Sequence, residues 1–200
     1  MAALAALVVL GLAVRYAGES EPGGPDARIG EALYGVGSPW HQVALTLDTL
    51  GEPAGSGALM VGLVTACLAA RRVRAAVFAV AGVGLAVGAA TLLKHLVGRT
   101  IHGENLSYPS GHTAFATALA LVVALLAAQG RRRGPDGPGA PTAFGAALLA
   151  GAAMGWAQIA LGAHYPTDVL GGWCTALAVV PAAAWLVDRS FDTVQRRQKS

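Results

Sequence analysis

Charge is scarce in this chain: Asp, Glu, Lys and Arg make up 12% of its 200 residues, where a soluble domain carries about a quarter. An ordinary water-soluble globule is thereby excluded. Cysteine is nearly absent too. Cys67 and Cys174 both fall inside apolar stretches, where a thiol behaves as a small hydrophobe. Their spacing matches no zinc pattern and no separate Cys/His cluster exists, so neither a disulfide framework nor a structural metal is expected. The formal net charge is only +3, and the basic residues collect between apolar stretches instead of forming a surface, which argues against a nucleic-acid partner. The N-terminal run lacks the basic n-region and the small-residue cleavage site of a signal peptide. Residues 1–14 are therefore read as a short first span.

What is abundant is apolar. Hydrophobic residues make up 54% of the chain and the mean hydropathy is +0.55. The reading is all-α: a single integral membrane domain over residues 1–200, built as a polytopic bundle of about six transmembrane helices. Apolar segments run over residues 1–14, 54–70, 75–93, 113–128, 143–161 and 169–187. The first is shorter than the roughly 20 residues a bilayer crossing needs. Residues 16–37, rich in Gly, Pro and acids, suit a solvated loop. Residues 38–51 suit either an amphipathic stretch at the interface, carrying Leu45, Leu47 and Leu50, or a plain loop. Gly82, Gly84, Gly88, Gly151 and Gly155 are expected to let helices approach closely.

Basic clusters set the orientation. Arg71, Arg72 and Arg74, then Arg131 to Arg133, then the tail with Arg189, Arg196, Arg197 and Lys199 all fall on one side if the segments alternate. The positive-inside rule makes that side cytoplasmic. The expectation is a multi-pass protein of the cell membrane with a cytoplasmic C-terminal tail. Residues 16–53, 94–112 and 164–168 then share the extracytoplasmic face.

Those outer connections hold the residues that can do chemistry. Pro109-Ser110-Gly111-His112 opens one helix and His164-Tyr165-Pro166-Thr167-Asp168 opens another. Helix N-termini present unsatisfied N–H groups and the positive end of the macrodipole, a ready anion site. Pro166 fits the first helical position, which puts His164 just ahead of the helix and Asp168 in its first turn. The carboxylate can then hold one ring nitrogen and leave the other as nucleophile or base; equally, it can simply cap backbone N–H groups. Ser110 is a natural N-cap, Gly111 permits close approach by an anion, and a protonated His112 can donate to a leaving oxygen. Lys94 and Arg99 close the preceding helix on the same face, where a phosphate needs cations, though both can instead snorkel to headgroups.

With these residues in place the chain resembles the type 2 phosphatidic acid phosphatase superfamily, a histidine phosphatase group with vanadium haloperoxidase relatives, over roughly residues 75–187. That family carries K-x6-R-P, then P-S-G-H, then S-R-x5-H-x3-D. The last two stand here as residues 109–112 and as His164 with Asp168. The resemblance implies a two-step, metal-independent hydrolysis with no cofactor. His164, oriented by Asp168, attacks phosphorus; His112 protonates the departing group; water then cleaves the phosphohistidine. Lys94, Ser110 and Gly111 become phosphate contacts. The implied substrate is a membrane lipid phosphate: phosphatidic acid, phosphatidylglycerol phosphate or a polyprenyl diphosphate.

Two positions depart from the pattern. Ile101 and His102 stand where the family has Arg-Pro, and Ala157-Gln158 where it has Ser-Arg. The phosphate-binding set is thus rebuilt around Lys94, Ser110 and Gly111, with His102 and Gln158 at the altered places and Arg99 where the resemblance implies that some members carry an additional arginine. A lost guanidinium fork removes charge-assisted bonds of about 1.5–3 kcal/mol each. Two alternatives to hydrolysis follow from that loss: a lipid phosphotransferase, or a decayed site that binds lipid phosphate without turnover.

Overall fold

All six apolar segments form helices in the computed structural model, which describes residues 1–131 and 140–197. In chain order the elements are α1 (Ala2–Arg15), α2 (Gly24–Leu33), α3 (Trp40–Gly51), α4 (Pro53–Ala69), α5 (Val73–Val97), a hairpin of β1 (Thr100–Ile101) and β2 (Asn105–Leu106), α6 (Gly111–Arg131), α7 (Ala140–Ala160) and α8 (Pro166–Arg197). Of the expected basic loop, Arg132 and Arg133 lie outside the described residues, as does Lys199 of the tail.

Helices α5, α6 and α8 form the centre. Phe78, Val83, Leu121, Val122 and Val180 interlock there with fully buried alanines. Gly82 makes room for Val122, Gly151 for Trp173 and Thr117, and Gly155 for Val169. Gly84 and Gly88 differ from expectation: nothing lies within 4 Å of a Cβ built on either, so they do not mediate a tight helix contact. The outside of the bundle is greasy instead of charged. Leu4, Val61, Leu92, Leu96 and Leu149 are all more than half exposed, a surface that lipid covers and water does not tolerate at this extent.

By length and apolarity α5, α6 and α8 qualify as membrane spans, and α3 with α4 adds a fourth if that pair, bent by 64°, is one broken span. Among the remaining apolar helices, α1 has 14 residues, or about 21 Å at 1.5 Å per residue, against a hydrocarbon core of about 30 Å. It packs along α8 through Ala5, Val9 and Cys174. Helix α8 continues through the basic tail to Arg197, and Asp188 on it pairs with Arg74 at 2.6 Å.

The segment expected as a solvated loop is the clearest correction. Residues 16–37 contain α2, and this stretch buries Tyr16 and Asp26 against the bundle. Gly23, Pro25 and Asp26 start α2: the Gly23 N–H donates to the Asp26 carboxylate at 3.3 Å, closing the first turn. Residues 38–51 resolve in favour of the amphipathic helix. Ala44 of α3 packs on Ala157 and Ala160 of α7, Trp40 meets Trp156 edge to face at 6.2 Å, and Leu45 and Leu50 remain exposed.

Candidate active site

The mouths of α6 and α8 are joined directly. Ser110 N–H donates to the Asp168 carbonyl at 2.9 Å, and Gly172 admits this contact because any side chain there would meet the Ser110 carbonyl. Ser110 is the N-cap of α6: its Oγ accepts from Thr113 N–H at 3.3 Å and from the Thr113 hydroxyl at 3.0 Å. Pro166 is the first residue of α8, and Asp168 in its first turn accepts the Tyr165 N–H at 3.0 Å through Oδ2. Two positive helix ends thus converge on one spot.

Asp168 serves two further partners. The same Oδ2 stands 3.8 Å from His164 Nδ1, an ion-pair separation too long for a hydrogen bond. Oδ1 accepts from Arg99 Nη1 at 2.7 Å. Arg99 is fully buried and its other arm donates to Asp26 Oδ2 at 2.7 Å. Its guanidinium carbon lies 4.0 Å from the Tyr16 ring centre and 4.4 Å from that of Tyr165, a cation–π sandwich. Asp26 also accepts the Thr167 N–H at 2.9 Å and the Thr167 hydroxyl at 2.9 Å. Burial holds the pKa of His164 below its ordinary value, with the Lys94 and His112 charges acting the same way and Asp168 opposing them. The imidazole is therefore kept neutral, the form that can act as a nucleophile.

His112 lies under the elbow between α3 and α4. Its Nε2 is 3.5 Å from Asp48 Oδ1 and 3.7 Å from Glu52 Oε1, and is closed to solvent without a hydrogen bond. Gly51 is required at the elbow, since a Cβ there would enter the His112 ring. Asp48 Oδ1 also accepts from Gln158 Nε2 at 2.7 Å. Lys94 donates to the Leu106 carbonyl of the hairpin at 2.9 Å. His102, in the left-handed region at φ 50°, places Nε2 2.8 Å from the Gly162 carbonyl.

Several expected residues have different partners from those foreseen. Arg99, expected to meet phosphate or headgroups, has both Nη groups on carboxylates and no exposure, which makes it a scaffold ion. The Ser110 hydroxyl is committed to capping. Gln158, at the family's arginine position, holds Asp48. Asp168 both caps its helix and approaches His164, so the two sequence readings of it coexist. Sequence reasoning missed Asp26, Asp48 and Glu52. Signals were present: Gly-Gly-Pro-Asp is a helix-start pattern for Asp26, and Asp48 and Glu52 are acids four apart beside apolar runs, where an ionisable group needs a reason.

In comparison with known proteins, the sequence model of the PAP2 superfamily matches residues 75–192. In fold the chain is similar to the first transmembrane PAP2-type phosphatidylglycerolphosphate phosphatase, from Bacillus subtilis, with a TM-score of 0.69, 22% identity and 96% of each chain covered. No curated protein matches the sequence.

Proposed function

The chain belongs to the PAP2 superfamily, and from that premise we propose that it hydrolyses a terminal phosphate from a lipid phosphate at the extracytoplasmic face of the cell membrane. The observation that carries the lipid part is a groove of about 620 Å³ with His112 in its wall. It starts at the elbow residues Gly51 and Pro53 and descends between α4, α5 and α6 past Met60, Val80 and Phe115. Such a lining accepts an acyl or prenyl chain while the phosphate stays at the helix mouths.

In this reading neutral His164, with Nδ1 turned toward Asp168, attacks phosphorus through Nε2. The phosphorus–oxygen bond to the leaving group breaks, and a proton from His112 goes to the departing oxygen. Water then attacks the phosphohistidine, gives a proton back to His112, and releases inorganic phosphate. Lys94, Gly111 and the N–H groups of the two helix ends supply the positive potential for the phosphoryl oxygens. The positive-inside rule supports the outer placement of this end, because Arg71 and Arg72 in the connection between α4 and α5, and Arg74 in the first turn of α5, lie at the opposite end.

Phosphate release from phosphatidic acid, phosphatidylglycerol phosphate and a polyprenyl diphosphate in detergent tests the proposal, with His164→Ala as control. Release from one of these lipids that falls to background in the variant supports it. Release that survives in the variant contradicts it, and label moving to a second lipid in place of free phosphate assigns the chain to phosphoryl transfer.

A further inference from the structure

We propose that the end of the bundle opposite the helix mouths binds the phosphate headgroup of an anionic phospholipid through Arg71, Arg72 and Arg74. A cavity of about 400 Å³ opens there, a size that takes one headgroup. The three guanidiniums and Asp188 form its polar side, and Phe78 and Leu126 of the bundle core form its apolar side. Such a wall offers charge to a phosphate and hydrocarbon to the carbons that follow it. The position along the bundle fits the same ligand. Arg74 lies in the first turn of α5 and Lys94 in its last, about 30 Å apart at 1.5 Å per residue, which is about one hydrocarbon core. With the helix mouths at one headgroup layer, the arginines stand at the other. Trp185 of α8, 58% exposed and with Arg189 over its ring at 5.2 Å, marks that layer, where tryptophan is enriched. The orientation proposed above makes it the cytoplasmic one.

The backbone at Arg71 is the second observation. Its φ of 56° lies in the left-handed region. Arg71 N–H donates to the Leu68 carbonyl and Arg72 N–H to the Cys67 carbonyl, each at 2.8 Å. This is the Schellman ending of α4, and glycine is the usual residue at the position Arg71 holds. An arginine there carries a strain that glycine would relax, so its side chain serves something other than the turn.

Charge complementarity names the ligand. Arg74 is engaged by Asp188 at 2.6 Å and approaches Asp192 at 3.9 Å. Among the described residues no carboxylate pairs with Arg71 or Arg72. Two planar forks in the cavity wall are thus left for an anion, and phosphate oxygens match them in geometry. Basic pockets between membrane helices on the cytoplasmic side suit lipid headgroups in this way. A free phosphate ion offers the same oxygens, but it has no use for the Phe78 and Leu126 side of the cavity.

The test titrates the full chain in detergent with phosphatidylglycerol or phosphatidylcholine and counts bound lipid by native mass spectrometry. The expected result is one phosphatidylglycerol held about tenfold more tightly than phosphatidylcholine, with affinity lowered about tenfold in Arg71→Gly and in Arg72→Gln, the value of roughly one charge-assisted bond. Arg71→Gly relaxes the turn, so its lipid-free melting temperature should equal or exceed that of wild type, which separates lost binding from lost folding. Asp188→Asn removes the negative part of the wall and should tighten binding severalfold. Lys94→Gln, at the other end of α5, should leave it unchanged, and millimolar inorganic phosphate should not displace the lipid. Equal affinity for the two lipids, or binding indifferent to both arginine variants, would overturn the site. So would weakening by Lys94→Gln alone, which would put the lipid at the helix mouths, or displacement by inorganic phosphate, which would make the ligand a free ion. These readouts need no turnover and hold whichever lipid the helix mouths process.

Discussion

Arg99 Nη1 lies 2.7 Å from Asp168 Oδ1, and this buried bond anchors the carboxylate that faces His164. The guanidinium reaches Asp168 from the connection after α5 and Asp26 from α2. One connection and the first turns of two helices, α2 and α8, are thereby tied at one end of the bundle. Arg99 touches neither His164 nor His112 in the hydrogen-bond pattern, so it acts on them through position.

Replacing Arg99 leaves two buried carboxylates without their partner. Arg99→Ala is expected to destabilise the protein by about 3–5 kcal/mol, the cost of breaking a buried pair from one side. Asp26→Asn keeps the shape and removes one charge, so it should cost less. Thermal unfolding in detergent measures both. Equal melting temperatures for Arg99→Ala and wild type would contradict the scaffold role.

The pH profile follows from His164. Its folded pKa is lowered by burial and by the Lys94 and His112 charges, so the acid limb of kcat/KM should lie below the ordinary imidazole value of about 6.5. The stability sign agrees: the unfolded chain binds the proton more readily, so the stability of neutral His164 is complete above the unfolded pKa and is lost as pH falls. Lys94→Gln removes one lowering charge and should move the limb upward. A limb at or above the ordinary value in wild type contradicts this account.

The groove makes a length-dependent prediction. Gly84 lines it and has open space around a built Cβ, so Gly84→Leu should fold normally and fill the channel. KM for long-chain lipid phosphates is expected to rise severalfold while a short, water-soluble phosphomonoester is processed as before. Equal effects on both substrates would remove the groove from the account.

Gln158 and Asp48 predict a non-additive pair. Gln158→Arg alone should bring little gain in phosphomonoester turnover, because the new guanidinium meets Asp48, 2.7 Å from the present amide nitrogen. Gln158→Arg with Asp48→Asn frees that fork for phosphate and should raise kcat/KM about tenfold, the value of roughly one charge-assisted bond. A gain from the single change as large as that from the double change contradicts the pairing.

Much of the architecture was legible because it depends on local physics. Uninterrupted apolar runs announce helices in lipid, Pro166 and Ser110 mark helix starts, and the Arg71 to Arg74 cluster marks one end. The partners of the charged residues were not legible, because they are set by which connection folds over which helix mouth. Asp26 and Arg99 are 73 residues apart, and Asp48 and Gln158 are 110 apart. Residues 16–37 read as solvated because their acids look like surface; one of those acids, Asp26, finds a buried guanidinium. Gln158 looked like a simple loss of charge, and only the fold reveals the carboxylate opposite it.

The central claim, that the joined mouths of α6 and α8 form one phosphoryl-transfer site with His164 as nucleophile, is tested most directly by trapping the intermediate. Rapid quenching of the chain during turnover of a 32P-labelled lipid phosphate, followed by peptide mapping, is expected to find acid-labile, base-stable label on His164 and none in His164→Ala. Continued turnover by His164→Ala, or label on another residue of the wild-type chain, would contradict it.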